Sequence, residues 1–191
     1  MQARALDMDV LGEADDKTLA VHAPENFEAF AELYRRYLCP VYRFIRSQVG
    51  DEATAEDLTA HVFFKALSSA SSFRGEGSYS SWVFRIAHNS LSTWRQRAGR
   101  DAVVTEDIPD GVDPTPSPAS QVITGEERGL VWETVAALPP AQREVVALRY
   151  IEDFSIEEVA NITRRSRGAV RILLHRARTR LRKALDGKDI G

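Results

Sequence analysis

Nine Lys/Arg residues (Arg164, Arg165, Arg167, Arg171, Arg176, Arg178, Arg180, Arg182 and Lys183) and one histidine, His175, fall between Thr163 and Lys183, with no Asp or Glu among them. The chemistry open to such a stretch is the gripping of a polyanion. An arginine holds a guanine edge through two hydrogen bonds or clamps a phosphate, and each neutralised phosphate releases counterions. Immediately upstream, Ser155-Ile156-Glu157-Glu158 has the spacing of a capping box, and Ser166 is the expected N-cap of the next helix. A short capped helix, a tight turn and a long basic helix read as a helix-turn-helix, whose second helix enters the major groove by its N-terminal residues. Arg165 and Arg167 then lie in or just after the turn, with Ser166 between them, and Arg171 sits about one turn into the helix. His175 and Arg178 lie toward solvent or the DNA backbone. Val170, Leu173, Leu174, Ala177 and Leu181 supply the buried stripe.

A second group of residues suits unpaired bases. Ser68 to Ser81 is rich in serine, carries Phe73 and Tyr79, and includes Arg74, Gly77, Ser78 and Ser80. It precedes a helix with Trp82, Arg85 and Asn89. Aromatic rings stack on single-stranded bases while Arg tracks the backbone, and a flexible loop can close over a base taken out of the stack. Catalysis is not expected. His88 and Asn89 have no nucleophile, carboxylate pair or phosphate loop at useful spacing. Cys39 is the only cysteine, so no intrachain disulfide or Cys-rich zinc site forms, and it reads as a small buried residue. His61 has no nearby His or Cys and reads as packing. No catalytic residue, metal or cofactor is expected.

The elements that must position these groups are all helical. Residues 1–24 read as a flexible acidic extension. In residues 25–98, Phe27, Phe30, Leu33, Tyr34, Tyr37 and Leu38 mark one helix face, Pro40 opens a second helix over Val41–Val49, and Gly50 stops it. Thr54 and Asp57 cap a third helix running to Leu67, and a fourth runs from Trp82 to Arg97. Residues 99–125 read as a linker. Four prolines forbid regular structure, and Asp101 to Ser120 holds five acids and no Lys or Arg. Residues 126–186 form a second domain with helices over Glu126–Ala137 and Ala141–Ile151, from Ser155, and from Ser166 to Leu185; 187–191 is a tail. The expected fold class is all-α, two small helical domains joined by a flexible linker. Net charge is −3, yet residues 1–62 hold twelve acids against six bases. That asymmetry calls for an acidic partner-facing half and a basic DNA-facing half. No apolar run reaches bilayer length and no signal peptide opens the chain, so membrane insertion is not expected and the cytoplasm is the expected compartment.

Four segments, in order, resemble the extracytoplasmic-function (group 4) sigma factors of bacterial RNA polymerase. Phe27-x-x-Phe30-x-x-Leu33-Tyr34-x-x-Tyr37 with Val41-Tyr42-Arg43-Phe44 looks like the start of their region 2. Glu56-Asp57-Leu58-x-x-x-Val62-Phe63-x-Lys65-Ala66-Leu67 looks like the polymerase-binding helix. Ser72-Phe73-Arg74-Gly75-Glu76 and Trp82 through Asn89 look like the −10 recognition loop and helix. Leu138-Pro139-x-x-Gln142-Arg143-Glu144-Val145 and Gly168 through Arg178 look like region 4.

This resemblance implies a factor that binds core polymerase, reads −35 and −10 promoter elements and helps melt the −10 region. It maps the −10 reader onto Phe73, Arg74, Gly77, Ser78, Tyr79, Ser80, Arg85 and Asn89. The −35 reader maps onto Arg165, Ser166, Arg167, Arg171, His175 and Arg178, and the polymerase contact onto Asp51, Glu56, Asp57, Leu58, His61 and Val62. The implied partners are the β′ clamp and β flap of core RNA polymerase, promoter DNA and an anti-sigma factor. Three departures stand out: Ala60-His61 where the family has Gln-Glu, Arg164-Arg165-Ser166 where it has a Gly-Ile-Pro-like turn, and Ile172-Leu173 in place of a polar pair. Two other readings are a helix-turn-helix regulator acting without polymerase exchange and a sigma-like decoy for an anti-sigma protein.

Overall fold

The computed structural model describes residues 12–75, 77–101 and 134–186. Every regular element among the described residues is helical. The first domain comprises α1 (Asp16–His22), α2 (Phe27–Arg46), α3 (Glu52–Ser68), a 3₁₀ turn (Ala70–Ser72) and α4 (Tyr79–Asp101). The second comprises α5 (Pro140–Val146), a π turn (Ala147–Ile151), α6 (Ile156–Thr163) and α7 (Arg167–Asp186). The core of the first domain is made by Leu33, Val41, Phe44 and Ile45 of α2, Ala55, Val62 and Ala66 of α3, and Val83, Ala87 and Leu91 of α4, all fully buried. Their three- and four-residue spacing is the helical stripe that burial requires.

Several expectations need correction. Residues 12–24, expected to be flexible, are folded. Asp15 caps α1 by accepting the Thr18 N–H at 2.7 Å, and Leu19 is 0% exposed. Arg36 of α2 holds this segment through Asp16 at 2.8 Å and the carbonyls of Ala14 and Gly12 at 2.9 Å each, while Tyr37 donates its hydroxyl proton to Asp16. Burial, then that hydrogen bond, pushes the Tyr37 phenol well above its ordinary value. Residues 1–11 lie outside the described residues.

The two expected helices around Pro40 are one. Proline removes a backbone donor and costs a helix interior about 3 kcal/mol. Here the helix continues because Leu33 before Pro40 and Val41, Phe44 and Ile45 after it are buried in the same core. Cys39 lies on the outer face and is exposed rather than buried. Helix α3 is capped by Asp51, which accepts the Thr54 N–H at 2.7 Å, one turn before the expected Thr54. The expected serine loop is shortened at both ends: α3 reaches Ser68 and α4 starts at Tyr79, so Tyr79, Ser80 and Ser81 are helical. Helix α4 also runs through Gly99 to Asp101, into the expected linker. The rest of that linker, the expected helix from Glu126 up to residue 133, Glu76 and the tail from 187 fall outside the described residues; 134–136 are helical.

In the second domain Pro140 begins α5, where a missing N–H is harmless. The chain then widens into the π turn, with Glu152 N–H donating to the Ala147 carbonyl at 3.1 Å, and reverses at Asp153, whose φ is 53°. The capping box forms as expected: Glu158 N–H donates to Ser155 Oγ at 3.2 Å, and Ser155 N–H donates to Glu158 Oε2 at 2.9 Å. Helix α6 ends at Arg164, left-handed at φ 53° and ψ 39°. Arg165 N–H closes on the Ala160 carbonyl at 3.0 Å, the bond of a Schellman end. Ser166 Oγ accepts the Ala169 N–H at 3.1 Å and opens α7.

The two domains pack on each other, α4 against α6, and their buried residues form one continuous core. Phe154, carried by the turn after the π segment, meets Phe84 of α4 edge to face, centroids 4.9 Å apart.

Candidate nucleic-acid interface

Helix α7 divides cleanly into two faces. Val170, Leu174 and Ala177 are buried and Leu173 and Leu181 partly so, which fixes the helix against α5 and α6. The other face carries Arg167, Arg171, His175 and Arg178, with Arg165 and Ser166 in the turn, all exposed. Among the described residues none of these four arginines is in an ion pair, so each guanidinium has its donors free for phosphate or base edges. Ile172 sits among them at 54% exposure, an apolar group of the kind that contacts a thymine methyl.

The expected single-strand site is arranged differently from its sequence order. Phe73 is 7% and Tyr79 3% exposed. Their rings lie 5.8 Å apart, and Trp82 lies 5.8 Å from Phe73 and 5.5 Å from Tyr79. Tyr37 of α2 closes the cluster at 5.3 Å from Tyr79. The two aromatics expected to stack on bases are instead packed on each other and anchor the loop. Gly75 takes φ +71° there, and a Cβ on it would meet Lys17 Cε at 3.0 Å, so the loop rests against α1 at a position suited to glycine. The polar members remain outside: Arg74, Gly77, Ser78 and Arg85 are exposed, Ser80 and Asn89 half-buried.

Asn89 opens onto a surface groove between α3 and α4 that sequence reasoning missed. Phe64, Lys65 and Ser68 of α3 and Ser69 at its C-terminal end line it on one side, and Ile86 and Asn89 of α4 on the other. Phe64 is 68% exposed, so an aromatic face, a cation and amide and hydroxyl groups share one recess. The signal was present in the helical phase. Leu58, Val62, Phe63 and Ala66 take the inward positions of α3, and that leaves Phe64 and Leu67 outward.

The acidic helix α3 meets its expectation in part. Glu56, Asp57 and His61 are exposed on one face. Leu58 and Val62 are buried in the core, and Asp51, half-buried, serves as the cap. Desolvation, then Lys65 and Arg97, holds the His61 imidazole below its ordinary value, so this position adds no positive charge to the acidic face near neutral pH.

Two family comparisons match this division. The family described as Sigma-70 region 2 matches residues 33–101, and Sigma-70, region 4 matches residues 128–181. The chain belongs to the sigma-70 family, in its extracytoplasmic-function group. Among its relatives, the ECF RNA polymerase sigma factor BldN of Streptomyces coelicolor is 33% identical over 152 residues, 78% of this chain and 58% of BldN. The chain thus spans somewhat over half the length of that relative. The ECF RNA polymerase sigma-E factor of Escherichia coli is 29% identical over 170 residues, 84% of this chain and 86% of that one. Among solved structures, CnrH in complex with the cytosolic domain of CnrY has a TM-score of 0.66 at 25% identity, covering 90% of this chain and 97% of that one. RpoE of Bartonella quintana, solved with the anti-sigma factor NepR, has a TM-score of 0.73 at 23% identity, covering 82% and 96%, and supports the fold. Region 2 of this sigma-70 protein therefore takes in α2, α3 and α4 with the Asn89 groove, and region 4 takes in α5, α6 and α7 with the basic face. No helix among the described residues is long and apolar enough to cross a membrane.

Proposed function

We propose that this chain directs bacterial RNA polymerase to promoters, with α7 reading a −35 element, the Asn89 groove and the adjoining loop capturing a −10 base, and the Glu56-Asp57 face of α3 docking on the polymerase clamp. The reading is carried by one observation: the chain presents two separate DNA-suited surfaces, an unpaired arginine face on one domain and an aromatic-lined polar groove on the other. On the −35 side the contacts fall to Arg165, Ser166, Arg167, Arg171, His175 and Arg178. On the −10 side, Arg74, Ser78 and Arg85 hold the backbone, Asn89 hydrogen-bonds the base edge, and Phe73 and Tyr79 set the loop. Capture of an unstacked base favours the open strand by roughly 1–3 kcal/mol per stacked base, so strand opening proceeds without nucleotide hydrolysis. Relatives solved with CnrY and NepR make an anti-sigma protein the expected second partner.

Run-off transcription with purified core polymerase tests this. A transcript above core alone from promoters selected in vitro is the expected result, and its absence from every selected sequence would overturn the reading. Asn89→Ala should reduce open complexes more than closed ones, and Arg171→Ala should weaken upstream duplex binding and flatten its salt dependence. Equal effects of both variants on both steps would remove the division of labour.

A further inference from the structure

We infer that helix α1 belongs to the strand-capturing site, with Asp16 as the positioning residue that holds the −10 loop in shape through Tyr37. The consequence for strand opening rests on the function proposed above; the hold itself rests on geometry alone. Helix α1 lies ahead of the segment matched as region 2, which begins at residue 33. Asp15 caps its first turn, and that fixes where Asp16 stands. Both carboxylate oxygens of Asp16 are engaged by α2. Oδ1 accepts from Arg36 Nη1 at 2.8 Å, and Oδ2 accepts the Tyr37 hydroxyl proton. Arg36 is itself steadied by Glu32, which accepts from its Nε at 2.8 Å. A carboxylate fastened at both oxygens is fixed in orientation, and it fixes the phenol that donates to it.

From Tyr37 the hold passes to the loop. The Tyr37 ring meets that of Tyr79 at 5.3 Å and 65°, and Tyr79 packs in turn on Phe73 and Trp82. Phe73 ends the 3₁₀ turn and Tyr79 begins α4, so these rings pin the two ends of the loop to each other. Tyr37 also lines the cleft between the domains together with Ser80. The Tyr79 hydroxyl is buried and has no hydrogen-bond partner among the described residues. Burial, then the charge of Asp16, raises its phenol well above the ordinary value, so it stays neutral. Ring packing is thus what fixes Tyr79, and Tyr37 is the ring that ties it to α2. At the middle of the loop, the next residue of α1 acts directly. The stem of Lys17 lies against Gly75, its Cε 3.0 Å from where a Cβ would stand. Helix α1 therefore reaches the loop twice, and leaves Arg74, Gly77 and Ser78 exposed between the fixed points. A loop already held in shape need not be ordered when a base arrives.

Two near-isosteric variants of the full chain test this. Asp16→Asn keeps the side-chain size but turns one acceptor into a donor, and Tyr37→Phe keeps the ring and removes the hydroxyl. In the free chain, hydrogen exchange read by mass spectrometry should rise roughly tenfold in peptides carrying Phe73, Gly75 and Tyr79, the effect of losing one hydrogen bond to a charged group. Peptides from the cores of α3 and α4 should exchange as in wild type. In holoenzyme on a promoter selected in vitro, both variants should slow strand opening, read by permanganate attack on unpaired thymines, by a similar factor of roughly ten. Closed-complex affinity should not change. Loop exchange at the wild-type rate in both variants would overturn the hold, and so would a rise spread evenly over the whole chain, which marks a residue that merely stabilises the fold. A loosened loop with strand opening at the wild-type rate would overturn the role in capture. The exchange readout needs neither polymerase nor promoter. A loop that loosens as expected in a chain whose wild type never supports run-off transcription therefore defeats the promoter reading and leaves the hold of Asp16 standing.

Discussion

At Asp51 a single carboxylate starts the helix that carries the exposed acids Glu56 and Asp57. Its hydrogen bond from the Thr54 backbone, then one from the Thr54 hydroxyl, holds its pKa below the ordinary aspartate value. A depressed acid stabilises the fold above its unfolded value and loses that contribution as pH falls through the folded one. Asp51→Ala should cost about 1 kcal/mol in urea denaturation at pH 7, with the gap from wild type closing below the ordinary aspartate range. A gap constant down to strongly acidic pH would show that the cap is not the cause. The sequence offers Asp51, Thr54 and Asp57 at equal spacing, each a fair cap, and local pattern cannot choose among them; the packing of Ala55 and Leu58 sets where the first turn begins. Phe73 shows the same limit. Its aromatic chemistry is legible in the chain, but its direction depends on Tyr37, Tyr79 and Trp82, which meet it only after α2 and α4 pack.

Among the elements, the turn between α6 and α7 carries a cost the family pattern avoids. Arg164 sits at φ 53°, where a side chain is strained and glycine is not. Arg164→Gly should raise stability by about 1 kcal/mol in thermal or urea melts without moving α7; a loss would mean that the arginine side chain holds the turn. Helix α1 makes the opposite case, an element that weak local periodicity hides. Its burial rests on Leu19, Ala20 and Ala23 and on the Arg36 clasp twenty residues away in the chain. Leu19→Ala should destabilise the first domain by about 2–5 kcal/mol, whereas a flexible extension would lose nothing measurable. The capping box at Ser155 and the apolar stripe of α7 were readable in advance, because those signals act within one turn of helix. The single helix through Pro40 was not, since the burial that overrides proline comes from other helices.

For the molecule as a whole, Glu152 makes the closure of the two domains on each other sensitive to pH. Burial pushes its carboxyl above the ordinary glutamate value, with the Coulombic pull and then the hydrogen bond of Arg43 working back against it, and Tyr37 and Glu158 also face the cleft. Parting the domains returns Glu152 to water and to its ordinary value. The closed form therefore binds the proton more tightly, and closure weakens as pH rises from the ordinary glutamate value through the raised one. Glu152→Gln removes that step, so the radius of gyration of the variant should change less than that of wild type between pH 4 and pH 7. Identical profiles would show that Glu152 is not the source of the dependence.

Residue types and short-range spacing were enough to determine that the described residues are all-helical and that a long basic helix follows a capped one. Those properties follow from interactions within three or four residues, which a sequence displays directly. Only the tertiary structure decided which aromatic faces are free, that the groove beside Asn89 is lined by Phe64, Lys65 and Ser68 of another helix, and that three glutamates of one domain close on the other. Each of these depends on residues brought together from distant parts of the chain, as with Arg43 and Glu152, or His88 and Glu144. Their meeting is set by packing of the whole core and by no local pattern.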